Sequence, residues 1–137
     1  MDIEVYYQSR GGNTKTIAET VAEVAGVKAH SVTEPFEGAD LLFLGGAVYG
    51  FKLDDSLVEF INNLDSDKVG YVAVFGTSGL SRTPVKAITK ALGLKGIKFF
   101  DDVYLAKMGL SHKSKPSAGQ REDARSWAAG IIKEFES

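Results

Sequence analysis

Two uninterrupted apolar runs constrain this chain more than any other feature. Leu41, Leu42, Phe43 and Leu44 form one, and Tyr71, Val72, Ala73, Val74 and Phe75 form the other. A strand with one wet face alternates apolar and polar residues, whereas a run without a polar position must be covered on both faces. Such strands belong to a sheet packed between two layers of helices, and the remaining sequence supplies those helices. Ile17, Val21, Val24 and Ala25 recur at helical spacing, with Gly26 as the stop. Leu57, Phe60, Ile61 and Leu64 mark a second helix capped by Asp54 or Asp55. Thr83 and Pro84 read as N-cap and first helical position of a third, whose apolar face is Val85, Ile88, Ala91 and Leu92, ended by Gly93. A last helix is expected from about residue 120 to 135, with Ala124, Trp127, Ala128, Ile131 and Phe135 packed inward.

Three more strands complete the pattern. Residues 3–7 are rich in β-branched and aromatic residues, residues 28–32 are half polar as an edge strand is, and residues 97–106 hold the fifth strand. No convincing helix joins strands two and three. Strands alternating with helices predict an α/β fold, a doubly wound, five-stranded parallel sheet with helices on both faces. No repeat, linker or low-complexity segment divides the 137 residues, so one domain over 1–137 is expected.

Composition removes several functions. Zero cysteines exclude disulfides, thiolate metal sites and cysteine catalysis. Two isolated histidines, His30 and His112, make neither a metal site nor a catalytic dyad. No nucleophile elbow of the form G-x-S-x-G occurs, so no triad serine is expected. Apolar runs are far shorter than the roughly 20 residues of a membrane span. The acidic, strand-like start does not resemble a signal peptide, and a cytoplasmic protein is expected. The net charge of −2 is uneven, with −8 over residues 1–67 and +6 over residues 68–137. No dense basic stripe with interleaved aromatics appears, which argues against nucleic acid.

Chemistry concentrates where strands end. After strand one the chain reads Ser9, Arg10, Gly11, Gly12, Asn13, Thr14 and passes at once into a helix. The first turn of a helix leaves N–H groups without partners, and its dipole adds partial positive charge. An anion is therefore held there without a lysine clamp. Gly11 and Gly12 are free to take positive φ and bring the backbone close to a ligand. Ser9, Asn13 and Thr14 offer side-chain hydrogen bonds. Read without a ligand, the same stretch is a tight turn with an Asn or Thr cap. It is neither a Walker loop nor a G-x-G-x-x-G turn. Glycine- or hydroxyl-rich segments also follow strand three, residues 45–53, and strand four, residues 76–80. In doubly wound sheets ligands bind outside the carboxyl ends of the strands.

These three segments resemble those of the flavodoxin family, in its short-chain form. Residues 9–14 are similar to the family phosphate loop Ser/Thr-x-Thr-Gly-Asn-Thr. Leu44, Gly45, Gly46, Ala47, Val48, Tyr49 and Gly50 resemble the second loop, L-G-x-P-x-Y/W. Gly76, Thr77, Ser78 and Gly79 stand where the third, flavin-edge loop belongs. The resemblance spans essentially the whole chain and implies strand order 2-1-3-4-5 and non-covalent FMN. It places the phosphate on Ser9, Arg10, Gly11, Gly12, Asn13 and Thr14, with Arg10 adding positive charge. It places the isoalloxazine ring between the second and third loops, among Ala47, Val48, Tyr49, Gly50 and Phe51. Tyr49 is the expected stacking aromatic, with Phe51 next, and Gly50 the peptide that reorients with redox state. The backbone of Thr77, Ser78 and Gly79 would meet the pyrimidine edge.

The implied function is electron transfer through FMN with redox partner proteins, as a monomer, with no side chain acting as acid or base. An FMN-dependent NAD(P)H- or quinone-type reductase is one alternative, and a flavodoxin-fold interaction protein that has lost FMN is another. The chain departs from the family pattern at Gly11, which stands in place of Thr, and at Ala47, which stands in place of Pro. Its third loop carries no aromatic residue. Its net charge of −2 is low for a family of strongly acidic carriers, with Asp54 and Asp55 able to supply acid locally.

Overall fold

The computed structural model describes residues 1–49, 52–78, 84–108 and 115–137. Its elements in chain order are β1 (Ile3–Tyr7), α1 (Asn13–Ala25), β2 (Ala29–Ser31), β3 (Ala39–Tyr49), β4 (Lys52–Leu53), α2 (Asp55–Asn62), β5 (Val69–Ser78), α3 (Pro84–Leu94), β6 (Tyr104–Lys107) and α4 (Ala118–Glu136). The two apolar runs lie side by side in the middle of one sheet, with Leu42 opposite Val72 and Leu44 opposite Val74. The sheet order is β2-β1-β3-β5-β6, and all four pairings along it are parallel. The expected 2-1-3-4-5 order is therefore present, with one addition. The two-residue β4 turns back antiparallel on β3, pairing Val48 with Leu53 and Tyr49 with Lys52.

Side-chain alternation explains why both central strands need to be apolar throughout. Leu42, Leu44, Val72 and Val74 face Leu57, Phe60 and Ile61 of α2 and Val85, Ile88 and Leu92 of α3. Leu41, Phe43, Ala73 and Phe75 face Ile17, Ala18 and Val21 of α1 and Ala124, Trp127 and Ile131 of α4. Each fully buried Leu, Ile or Phe in these layers contributes about 1.5–3 kcal/mol over an exposed one. Trp127 belongs to this core. It packs edge-on to Phe43, and its Nε1 donates to the Asp102 carbonyl at 3.0 Å.

Several boundaries differ from the sequence expectation. β3 and β5 run on through their glycines, so residues 45–49 and 76–78 are strand rather than loop. The glycines are there for space. A Cβ on Gly45 would fall 2.0 Å from the Phe75 ring, and one on Gly46 would fall 2.4 Å from Leu57 Cδ2. The fifth strand is short. Residues 97–103 make one bridge, Phe99 to Val72, before β6 begins at Tyr104. α3 passes Gly93 and stops at Gly96, whose φ is 72°, where Ile97 N–H bonds back to the Leu92 carbonyl. α4 starts two residues earlier than expected, because Ser117 and Gln120 form a reciprocal capping box. Gly26 does end α1, with φ 73°. Residues 32–38 contain no helix. Among the described residues no helix is long and apolar enough to cross a membrane.

Candidate functional site

The carboxyl ends of β1, β3 and β5 lie together at one edge of the sheet, and the three segments singled out in the sequence meet there. The β1 ladder extends one residue past the strand, with Gln8 N–H donating to the Gly45 carbonyl at 2.9 Å. Buried Gln8 also reaches across with its side chain, and Oε1 accepts from Ala47 N–H at 3.4 Å. This link between the first and second segments was missed in the sequence. The signal was parity: Gln8 falls on the same strand face as buried Tyr6, a place where a polar side chain needs a partner.

The turn into α1 is built on one glycine. Gly12 is the N-cap, with φ 92° and ψ −8°, and no side chain caps the helix. The Asn or Thr cap is therefore not used. Gly11 does not take positive φ, and a Cβ on it would meet nothing within 4 Å. Ser9 Oγ accepts from Gly12 N–H at 3.0 Å, closing the turn internally. Asn13, half-buried, opens the helix. The helix start therefore has no side-chain cap, and its first-turn N–H groups lack intrahelical partners.

Thr14 is buried on the inner side of that turn, where its hydroxyl meets that of Thr77 at 2.7 Å. Because Thr77 shares the α1 side of β5 with Phe75, its neighbour Ser78 faces the opposite layer. Ser78 is 6% exposed, and its Oγ is buried without a hydrogen-bond partner. An orphaned hydroxyl costs about 1–3 kcal/mol.

Arg10 has a protein partner. Its Nε and Nη2 both donate to Asp54 Oδ1, at 3.0 and 2.7 Å. Asp54 Oδ2 caps α2, accepting from Ser56 N–H at 3.0 Å and from Ser56 Oγ at 2.6 Å. These contacts, the Ser56 hydroxyl first and then Arg10, hold the Asp54 carboxyl below the usual aspartate range. The acid expected locally from Asp54 is therefore offset by Arg10, while Asp55 is exposed. A small cavity of about 240 Å³ lies between Arg10, Lys52, Leu53, Asp54 and Asp55.

Ala47 is buried in β3, and the backbones of Val48 and Tyr49 complete that strand. Gly50, Phe51 and Gly79 lie outside the described residues, as do Leu80, Thr83, His112 and Lys113. A larger cavity, about 780 Å³, opens at the other end of the sheet between Asp2, Asp40, Lys68 and Gly70. It lacks what the carboxyl edge has, a buried polar side chain left without a partner.

A helix start at a left-handed glycine, with no side-chain cap, is of a kind that can take a phosphate-bearing ligand. Comparison with known proteins points the same way. The family model described as a flavodoxin domain matches residues 4–114. A flavodoxin from the domain Archaea is similar in structure at TM-score 0.77 and 19% identity, covering 100% of both chains. A short-chain flavodoxin associated with a non-canonical PDU bacterial microcompartment matches at TM-score 0.79 and 19% identity, over 98% of this chain and 99% of that one. Rubredoxin oxygen:oxidoreductase from Desulfovibrio gigas matches at TM-score 0.80 and 14% identity, over 98% of this chain but 36% of that one. No curated protein matches the sequence.

Proposed function

Because the chain belongs to the flavodoxin family, which implies FMN as cofactor, we propose that it carries electrons by way of FMN bound non-covalently at the carboxyl edge of the sheet. One observation carries this reading: α1 begins at a left-handed Gly12 with no side-chain cap, so its first-turn N–H groups are left for an anion. In this reading residues 9–14 hold the phosphate, mainly through backbone N–H groups with Ser9, Asn13 and Thr14. Ala47, Val48 and Tyr49, together with Gly50 and Phe51, flank the flavin ring, and Tyr49 stacks on it. Thr77, Ser78 and Gly79 meet the pyrimidine edge, which gives the orphaned Ser78 hydroxyl a partner.

FMN supplies the redox chemistry, accepting and releasing electrons. The chain binds, orients and shields it, and no side chain works as acid or base. Redox partner proteins in the cytoplasm are the proposed source and destination of the electrons, with this single domain acting as a monomer. The visible spectrum after FMN addition tests the reading. Bound-flavin absorbance with quenched fluorescence is expected, together with weaker binding in Asn13→Ala and Thr14→Ala. A protein that stays colourless after reconstitution with excess FMN and removal of the free flavin would overturn it and favour an interaction module. Bleaching by reduced nicotinamide alone would favour a reductase.

A further inference from the structure

We propose that Asp54 positions Arg10 as a strut between the turn before α1 and the base of the β3–β4 hairpin, and that Arg10 is not a phosphate ligand. The inference deepens the FMN reading and rests on it for its functional meaning. Its structural basis is independent of it.

The two oxygens of Asp54 divide their work. Oδ2 is held by the Ser56 N–H and hydroxyl, a capping geometry set by residues two apart. The carboxylate is therefore already oriented when Arg10 arrives from 44 positions away, and both Nε and Nη2 converge on Oδ1. The exposures differ in the same sense. The Asp54 side chain is 17% exposed and that of Arg10 61%, so the aspartate is the more enclosed partner.

Asp54 also occupies a mechanical junction. It directly follows β4, whose Leu53 is buried in the core and pairs with Val48 of β3. That pairing closes the hairpin carrying Tyr49. Arg10 directly precedes Gly11 and Gly12, the turn on which α1 begins. The ion pair thus ties the anion-binding turn to the hairpin at a fixed separation. The Gln8 contacts to Gly45 and Ala47 join the same two segments nearby. A strut preorganises both loops and lowers the ordering cost of binding. It acts on the whole flavin, whereas a phosphate ligand acts only on the phosphate.

Titration with FMN and with riboflavin, which lacks the phosphate, separates these roles. The variants are Arg10→Gln and Asp54→Asn, the latter retaining an N-cap residue. The strut predicts that each weakens both flavins by the same factor, about 1.5-fold to fivefold for a largely exposed pair, and that the double variant is no weaker than either single one. Loss of FMN affinity with riboflavin unchanged in Arg10→Gln would make Arg10 a phosphate ligand and overturn the proposal. So would an Asp54→Asn protein that binds both flavins like wild type. If wild type itself binds neither flavin, the FMN reading fails, and the strut is decided by amide hydrogen exchange alone. Faster exchange at Gly11, Gly12 and Asn13 in both variants supports it, and unchanged exchange refutes it.

Discussion

The hydroxyls of Thr14 and Thr77 meet at 2.7 Å inside the protein, joining the first turn of α1 to the end of β5 across 63 positions. Two of the three segments at the sheet edge are thereby locked together. In such a pair only one hydroxyl donates to the other, so the accepting one keeps its proton for a further acceptor.

Breaking that pair from one side should be worse than removing it. Thr77→Val leaves the buried Thr14 hydroxyl without its partner, at a cost of about 1–3 kcal/mol. The double variant Thr14→Val with Thr77→Val removes the unmet polar group and should cost less than the sum of the single changes. Urea denaturation of the four proteins reads the coupling. Strict additivity would show that the contact carries no energy.

Gly11 is the family departure that the structure leaves room to reverse. Its φ is not left-handed and a Cβ there meets nothing within 4 Å, unlike Gly12, whose φ is 92°. Gly11→Thr should therefore fold like wild type and, by restoring a hydroxyl beside the turn, tighten FMN by about fivefold. Gly12→Ala, forced into the left-handed region, should lose about 1–2 kcal/mol of stability. Thermal unfolding and fluorescence titration check the pair, and equal effects on stability at the two glycines would contradict the assigned turn.

Gly45→Ala tests why the central strand carries glycine at all. The added methyl would fall 2.0 Å from the ring of Phe75, which is fully buried. Destabilisation of about 1–3 kcal/mol is expected from overpacking, and Phe75→Leu in the same chain should recover part of it. A Gly45→Ala protein as stable as wild type would mean that Phe75 has space to move.

That glycine also marks the limit of what a sequence discloses. The apolar runs at Leu41 and Tyr71 identified the central strands, because period and burial are local properties. Gly45, Gly46 and Gly76 read as loop, yet they lie inside strands, and the side chains that exclude a Cβ at Gly45 and Gly46 come from β5 and α2. Gly93 and Gly96 both suit a helix stop, and only the bond from Ile97 N–H to the Leu92 carbonyl selects Gly96. At the site, the backbone cradle was legible because a strand, two glycines and a helix are contiguous. The Arg10 contact to Asp54 was not, since an exposed pair 44 positions apart leaves no periodic trace.

Acid should weaken that pair in a defined direction. Asp54 is held below its ordinary range by the Ser56 hydroxyl, then by Arg10 and the Ser56 N–H. Its folded pKa is thus lower than its unfolded value of about 4. The stabilisation it contributes is fully present above that unfolded value and is lost as pH falls through the folded one. Glu34, lowered by the Ser31 N–H and then by His30, adds to the acid limb with the same sign. Urea midpoints of wild type and Asp54→Asn should therefore differ by a constant amount from about pH 7 to pH 5 and converge below about pH 4. A gap that persists on acidification would show that the Asp54 charge is not what the substitution removed.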